Sequence, residues 1–188
     1  MEKKMVVGLG NPGDEYSLSR HNIGWLILDQ FSRRNRIPLK KKKFKSLYGE
    51  GGVAGKRVVL LKPLIYMNRS GESMDMALKA LDVDCSDMIV VQDDIDLAFG
   101  KLRFRRSGGD GGHKGIRSTI EELGTEEFTR LKFGVGRPDP EQEASDYVLD
   151  DFMQEETDTL NALVDRAVDA LMTWIVEGLA VAMNRFHR

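Results

Sequence analysis

The 188-residue sequence contains a single cysteine, Cys85, so no disulfide can close within the chain and a reducing compartment is the default setting. No apolar run is long enough to span a bilayer, and no N-terminal apolar segment is flanked by a cleavage site, so neither a membrane span nor a secretory leader is expected. A cytoplasmic location with no membrane partner follows as the expectation. Metal signatures are lacking too: there is no paired-cysteine motif and no H-E-x-x-H, and Asp93, Asp94 and Asp96 do not have the spacing of a calcium loop. No serine lies in a nucleophile-elbow motif and Cys85 has no histidine near it in sequence, which favours direct attack by water over a covalent intermediate.

Net charge is also scarce, at -2, but the charges are unevenly spread. Arg33 to Lys45 reads RRNRIPLKKKKFK without an acid, and Lys101 to Arg117 carries six basic residues against one acid, Asp110. Asp139 to Asp169 carries eleven acids against one base, Arg166. The split predicts one positive surface that can meet phosphates and one acidic surface kept away from them; the plainer reading of Lys40 to Lys43 is a solvated face.

With 41% hydrophobic residues, a chain of this length can bury one core, and residues 1–188 are read as one domain. Lys4 to Gly8 has the form of a buried strand, and Ile23, Leu26, Ile27 and Phe31 predict a helix beginning near Asn22. Ser46 to Val53 and Lys56 to Leu61 form a hairpin across Ala54-Gly55, Pro63 breaks the run, and Ser70 caps a helix with Met74, Ala77, Leu78 and Leu81 on its apolar face. Met88 to Val91 is a buried strand leading into Asp93-Asp94-Ile95-Asp96, and Lys101 to Arg105 a strand with one wet face. Ser107 to Gly115 is too glycine-rich for a regular element, Ile116 to Leu123 is a short helix, and Arg130 to Val135 is a strand. An acidic surface connection from Asp139 to Asp151, with a short helical piece and a candidate mobile cover, precedes a long helix from about Glu155 to Glu177 that Gly178 stops. Strands interleaved with helices, plus a hairpin, give an α/β sandwich around a central mixed, mostly parallel sheet flanked by helices.

Gly8, Gly10 and Gly13 satisfy G-x-G-x-x-G after a strand, half of what a dinucleotide-binding oxidoreductase needs. The other half is missing. Asp14 to His21 has no helical stripe, and Asp29, which would have to bind a ribose, falls inside a predicted helix.

Of three histidines, His21 and His113 lie in loops beside glycines, and either can take a proton from water if a second group fixes its tautomer. Asp93, at the end of a buried strand, can be that group or can simply cap a turn. Asn11 and Asn68 sit in tight turns, where an amide can grip an ester or peptide group or steady an oxyanion, or only shape the local backbone.

Taken together, Gly-Leu-Gly-Asn-Pro-Gly with Tyr16 and Arg20-His21-Asn22, Tyr66-Met67-Asn68 with Ser70-Gly71, Asp93-Asp94-Ile95-Asp96-Leu97, Gly111-Gly112-His113, Arg130-Leu131 with Gly134 and Gly136, and Asn184-Arg185 resemble the bacterial-type peptidyl-tRNA hydrolases along essentially the whole chain. The resemblance implies a metal-free, cofactor-free esterase that cleaves the bond between a peptide's terminal carbonyl and the ribose of a tRNA's last adenosine. Its partner is then peptidyl-tRNA, met at the acceptor stem and 3′ end, and the working expectation is a monomer. By resemblance, His21 is the general base, Asp93 supports its basic form, and Asn11 helps tell blocked from free aminoacyl groups. Tyr16, Tyr66 and Asn68, with Met67 and His113 beside them, match positions that contact the tRNA 3′ end or the peptide. Arg105 and Lys132 match a basic pair that clamps acceptor-end phosphate, with lysine and arginine exchanged. The single-point ammonium at 132 gives up bidentate contact and keeps the Coulomb attraction. One departure stands out: the family usually has asparagine after the loop histidine, and this chain has Lys114, which cannot accept a hydrogen bond but can add a phosphate contact. Relatives that bind RNA without hydrolysing it form the alternative reading.

Overall fold

The structure is a computed structural model describing residues 1–187. Its strands are β1 (Lys3–Gly8), β2 (Lys41–Lys43), β3 (Ser46–Val53), β4 (Lys56–Pro63), β5 (Met88–Asp94), β6 (Leu102–Arg105) and β7 (Thr129–Gly134). Its α-helices are α1 (Ile23–Asn35), α2 (Ser70–Leu81), α3 (Lys114–Leu123), α4 (Ala144–Leu149), α5 (Gln154–Glu177) and α6 (Leu179–Phe186). The seven strands form one sheet in the order β2-β3-β4-β1-β5-β7-β6. The inner strands β4, β1, β5 and β7 run parallel, while β2–β3, β3–β4 and β6–β7 are antiparallel. This is the expected mixed, mostly parallel sheet. Helices cover both faces, and β1 sends Val6 to the core under α1, α5 and α6 and Met5 and Val7 to the core under α2 and α3. Burial on both faces is why the inner strands read as continuous apolar runs rather than alternating ones.

The hairpin turn falls at Ala54-Gly55, both with positive φ (49° and 79°), the backbone twist that matches a two-residue connection to the strands. Asp14 to Asn22 forms only two short 3₁₀ turns, Asp14–Tyr16 and Arg20–Asn22, before α1 begins. The glycines of Gly8 to Gly13 serve packing. A Cβ at Gly8 would lie 2.4 Å from the Gly24 carbonyl oxygen, and one at Gly10 would lie 2.6 Å from the Trp25 ring. The space a pyrophosphate needs is filled by the start of α1.

Two expectations are corrected. Ser70 does not cap α2; a 3₁₀ turn (Met67–Arg69) runs straight into the helix, so the Ser70 hydroxyl donates to the Met67 carbonyl and the hydroxyl of Ser118 on α3 accepts from Gly71 N instead. The basic stretches do not make one surface: β2 and β6 are opposite edges of the sheet, six strand spacings or roughly 29 Å apart. Arg34 from the first stretch is moreover turned to Asp165 and Asp169 of the acidic helix α5. Lys41–Lys43 form an exposed edge strand, where lysines also hinder sheet-to-sheet association. Gly178 ends α5 at φ 91°, as expected, and a further helix, α6, follows it.

Candidate active site

Parallel strands deliver their C-terminal ends to one side of the sheet, the usual place for a site in an open α/β fold. There the turn after β1, the 3₁₀ turn at Met67, the end of β5 and the glycine loop before α3 enclose a cleft of about 640 Å³, closed on another side by α4. Asn11, His21, Tyr66, Met67, Asn68, Asp93, His113, Lys114 and Lys132 all line it. Tyr16 and Arg105 do not. Tyr16 is half-buried in the first 3₁₀ turn, and Arg105 lies exposed on β6. The ladder pairs Arg103 with Lys132 and Arg105 with Arg130, so Arg105 is the diagonal neighbour of Lys132 on one sheet face.

The centre of the cleft is a carboxylate between two imidazoles. His21 Nδ1 lies 2.8 and 2.9 Å from the two oxygens of Asp93, and His113 Nε2 lies 2.8 Å from Asp93 Oδ1. The two rings are 4.8 Å apart and tilted by 49°. Asp93 is 3% exposed; burial alone pushes its carboxyl up, but the two imidazoles outweigh that and hold it well below the usual carboxylate range. An ionised carboxylate accepts the Nδ1 proton of His21, which leaves Nε2 as the lone-pair nitrogen. That nitrogen has no partner among the described residues, and its ring lines the cleft. Donor atoms of His21, Asp93 and His113 fall within 4.8 Å of one another, so the trio has the ligand types for a divalent ion. Their hydrogen bonds to one another nevertheless satisfy the carboxylate without one.

Asn11 is clamped by a residue that the sequence reading did not single out for a role. The buried Asn22 accepts from Asn11 N at 2.8 Å and donates to the Asn11 carbonyl at 3.0 Å, the two-way bond that an amide alone can make. The Asn11 side-chain oxygen in turn accepts from Met67 N at 2.8 Å, so its amide hydrogens are what it can offer a ligand. Asn68 and Tyr66 flank it as exposed residues, Tyr66 by 63%.

Arg20 carries the His21 turn. Buried beside His21, its guanidinium donates to Glu156 of α5 at 2.9 Å and to the Tyr147 carbonyl at 3.2 Å, and stacks 4.0 Å from the Tyr147 ring. Arg20 N also donates to the Asp150 carbonyl at 3.0 Å. The acidic connection carries the expected short helix: α4 presents Ala144, Ser145, Asp146, Val148 and Leu149 to the cleft, fastened by Arg20 on one side and by the Tyr147 hydroxyl to the Val135 carbonyl on the other.

Arg130 holds the glycine loop. It is 2% exposed, lies over the Phe128 ring at 4.4 Å, and donates to the carbonyls of Gly108 and Gly109. Gln92 is a further lining residue that no motif announced: its Nε2 donates to the Asp93 carbonyl while its buried Oε1 has no partner among the described residues. Lys132 sits 3.3 Å from Asp94, and Lys114 opens the first turn of α3 exposed at the cleft wall.

Comparison with known proteins gives the same picture along the whole chain. The family model described as "Peptidyl-tRNA hydrolase" matches residues 5–188. Peptidyl-tRNA hydrolase of Bacillus thuringiensis subsp. konkukian is 46% identical over 184 residues, 98% of this chain and 99% of the relative. That of Symbiobacterium thermophilum is 45% identical over 186 residues, 98% of each. Among solved structures, peptidyl-tRNA hydrolase from Acinetobacter baumannii superposes with a TM-score of 0.91 at 33% identity, covering 98% of this chain and 94% of that one.

Proposed function

The chain belongs to the peptidyl-tRNA hydrolase family, and from that membership together with the buried His21–Asp93 pair we infer how it hydrolyses the ester of peptidyl-tRNA. His21 Nε2 removes a proton from a water whose oxygen attacks the ester carbonyl carbon. Asp93 stays ionised, keeps the proton on Nδ1 and steadies the imidazolium that forms. The amide hydrogens of Asn11 and Asn68, with the Lys114 ammonium, are available to the carbonyl oxygen as it becomes negative. When the bond to the ribose oxygen breaks, His21 returns its proton to that oxygen, so free tRNA and a peptide carboxylic acid leave without a covalent enzyme intermediate, and the acid then loses its proton to solvent. Lys132 and Arg105 carry acceptor-end phosphate, Tyr66 offers its exposed ring to the 3′-terminal nucleotide, and Tyr16 acts from the rim. Asn11, whose oxygen is engaged, meets the substrate as a donor and so recognises the acyl carbonyl of a blocked amino group. The enzyme works as one domain and as a monomer.

The observation that carries this reading is the Nδ1 of His21 held between both oxygens of Asp93, on a ring that lines the cleft. It is tested by the release of free tRNA from an N-blocked aminoacyl-tRNA. His21→Ala is expected to lower kcat by on the order of 100-fold or more, while a chelator leaves the parent rate unchanged. Salt-sensitive tRNA binding with no release from the parent protein would instead identify an RNA binder without turnover.

A further inference from the structure

We infer that His113 is a positioning residue for the His21–Asp93 pair, not a substrate contact, and that the first turn of α3 fixes the tautomer on which this depends. The inference rests on His21 acting as the base. His113 is the N-cap of α3, and its Nδ1 accepts from Gly115 N at 3.1 Å and Ile116 N at 3.3 Å. Because both partners are N–H groups, Nδ1 must present its lone pair, and the ring proton is confined to Nε2. Nε2 then donates to Asp93 Oδ1 at 2.8 Å. Helix N-caps are ordinarily Ser, Thr, Asp or Asn, which accept from the helix but cannot also pass a ring N–H to a buried carboxylate. Histidine does both, and in doing so it has no nitrogen left for a ligand.

Three consequences follow. Asp93 accepts one N–H from each side, so its carboxylate is oriented by His113 as well as by His21. Both ring nitrogens of His113 are engaged, so of the two imidazoles, 4.8 Å apart, it is His21 that keeps a nitrogen to take the proton from water and become the cation. And the hydrogen bond from His113 withdraws part of the charge with which Asp93 holds that cation, which favours return of the proton to the leaving ribose oxygen. The cap is itself held in place: Gly111 and Gly112 turn at φ 58° and 85°, Asp110 accepts from Gly112 N at 2.7 Å, and Gly115 leaves no room beneath Met67, whose Sδ would lie 2.6 Å from an added Cβ. The other charged groups lining this cleft are Asp94, Asp96 and Lys132 from the sheet end, Asp110 and Lys114 around the cap, and Asp146 from α4.

Two substitutions separate the two jobs of the ring. In His113→Asn the amide oxygen falls near the place of Nδ1 and keeps the cap while the donor to Asp93 is lost; in His113→Gln the amide nitrogen reaches the place of Nε2 and keeps the donor. His113→Asn is expected to melt near the parent temperature, to lose about tenfold or more in kcat, to keep KM within about twofold, and to move the acid limb of kcat/KM to higher pH, because Asp93 then holds the His21 cation with undivided charge. His113→Gln is expected to leave the acid limb at its parent position and to recover most of kcat. A raised KM with kcat and the acid limb unmoved in His113→Asn would overturn the inference in favour of a substrate contact. Equal losses in both variants, tracking a lowered melting temperature, would overturn it in favour of capping alone. Retained release by His21→Ala is a separate result, and it would remove the premise instead.

Discussion

At the scale of single residues, Asn22 has the clearest consequence. It satisfies both backbone groups of Asn11 from a fully buried position, so Asn22→Ala leaves an N–H and a carbonyl without partners. A loss of about 1–3 kcal/mol in a urea melt is expected, with Asn22→Asp intermediate because it keeps the acceptor but not the donor. The sequence shows Asn11, His21 and Asp93 because each stands in a distinctive local pattern. It does not show Asn22 at work, since the reciprocal amide bond spans two turns whose approach is set only when α1 docks on β1. Gln92 is hidden for the same reason, being one polar residue at the end of an apolar strand. Asp93 also carries a pH signature. Its carboxyl is held below its ordinary value of about 3.9, so the ionised form contributes stability above that value and loses it as pH falls further. Asp93→Asn should therefore be less stable than the parent at neutral pH, with the gap narrowing below about pH 4, read from urea midpoints along a pH series.

At the scale of elements, the Arg20–Glu156 pair joins the turn bearing His21 to α5 and, through Tyr147, to α4. Both side chains are largely buried, so Arg20→Gln strands a carboxylate and should cost about 3–5 kcal/mol, whereas Arg20→Gln with Glu156→Gln should recover much of that loss. Denaturant midpoints of the two single variants and the double one decide it. The elements themselves were largely legible: hydrophobic periodicity marks β1, β4, β5, β7, α1, α2 and α5 within a residue or two at most ends. Two were missed for different reasons. Lys41–Lys43 have no apolar pattern and become a strand only by pairing with β3. The helix α6 carries a signal, with Leu179, Ala182, Met183 and Phe186 at helical spacing, but it is short and follows the glycine that stops α5. The short cover helix α4 is acidic and brief, and what fixes it is the distant Arg20.

At the scale of the molecule, the placement of charge across the sheet separates two basic stretches that are alike in sequence. Lys132 and Arg105 stand beside the cleft, while Lys41–Lys43 form the opposite edge. Over about 50–200 mM salt, Lys132→Gln or Arg105→Gln should each flatten the salt dependence of tRNA binding by about one unit of slope, and Lys42→Gln should leave it unchanged. The contacts that hold the site together are also far apart in sequence. His21 meets Asp93 across 72 residues, and Arg20 meets Glu156 across 136. An enzyme that frees peptides from tRNA is itself a peptide on tRNA while it is being made. Because Glu156 lies 136 residues beyond Arg20, a growing chain is expected to lack the fastening of the turn that bears His21 until α5 has been made.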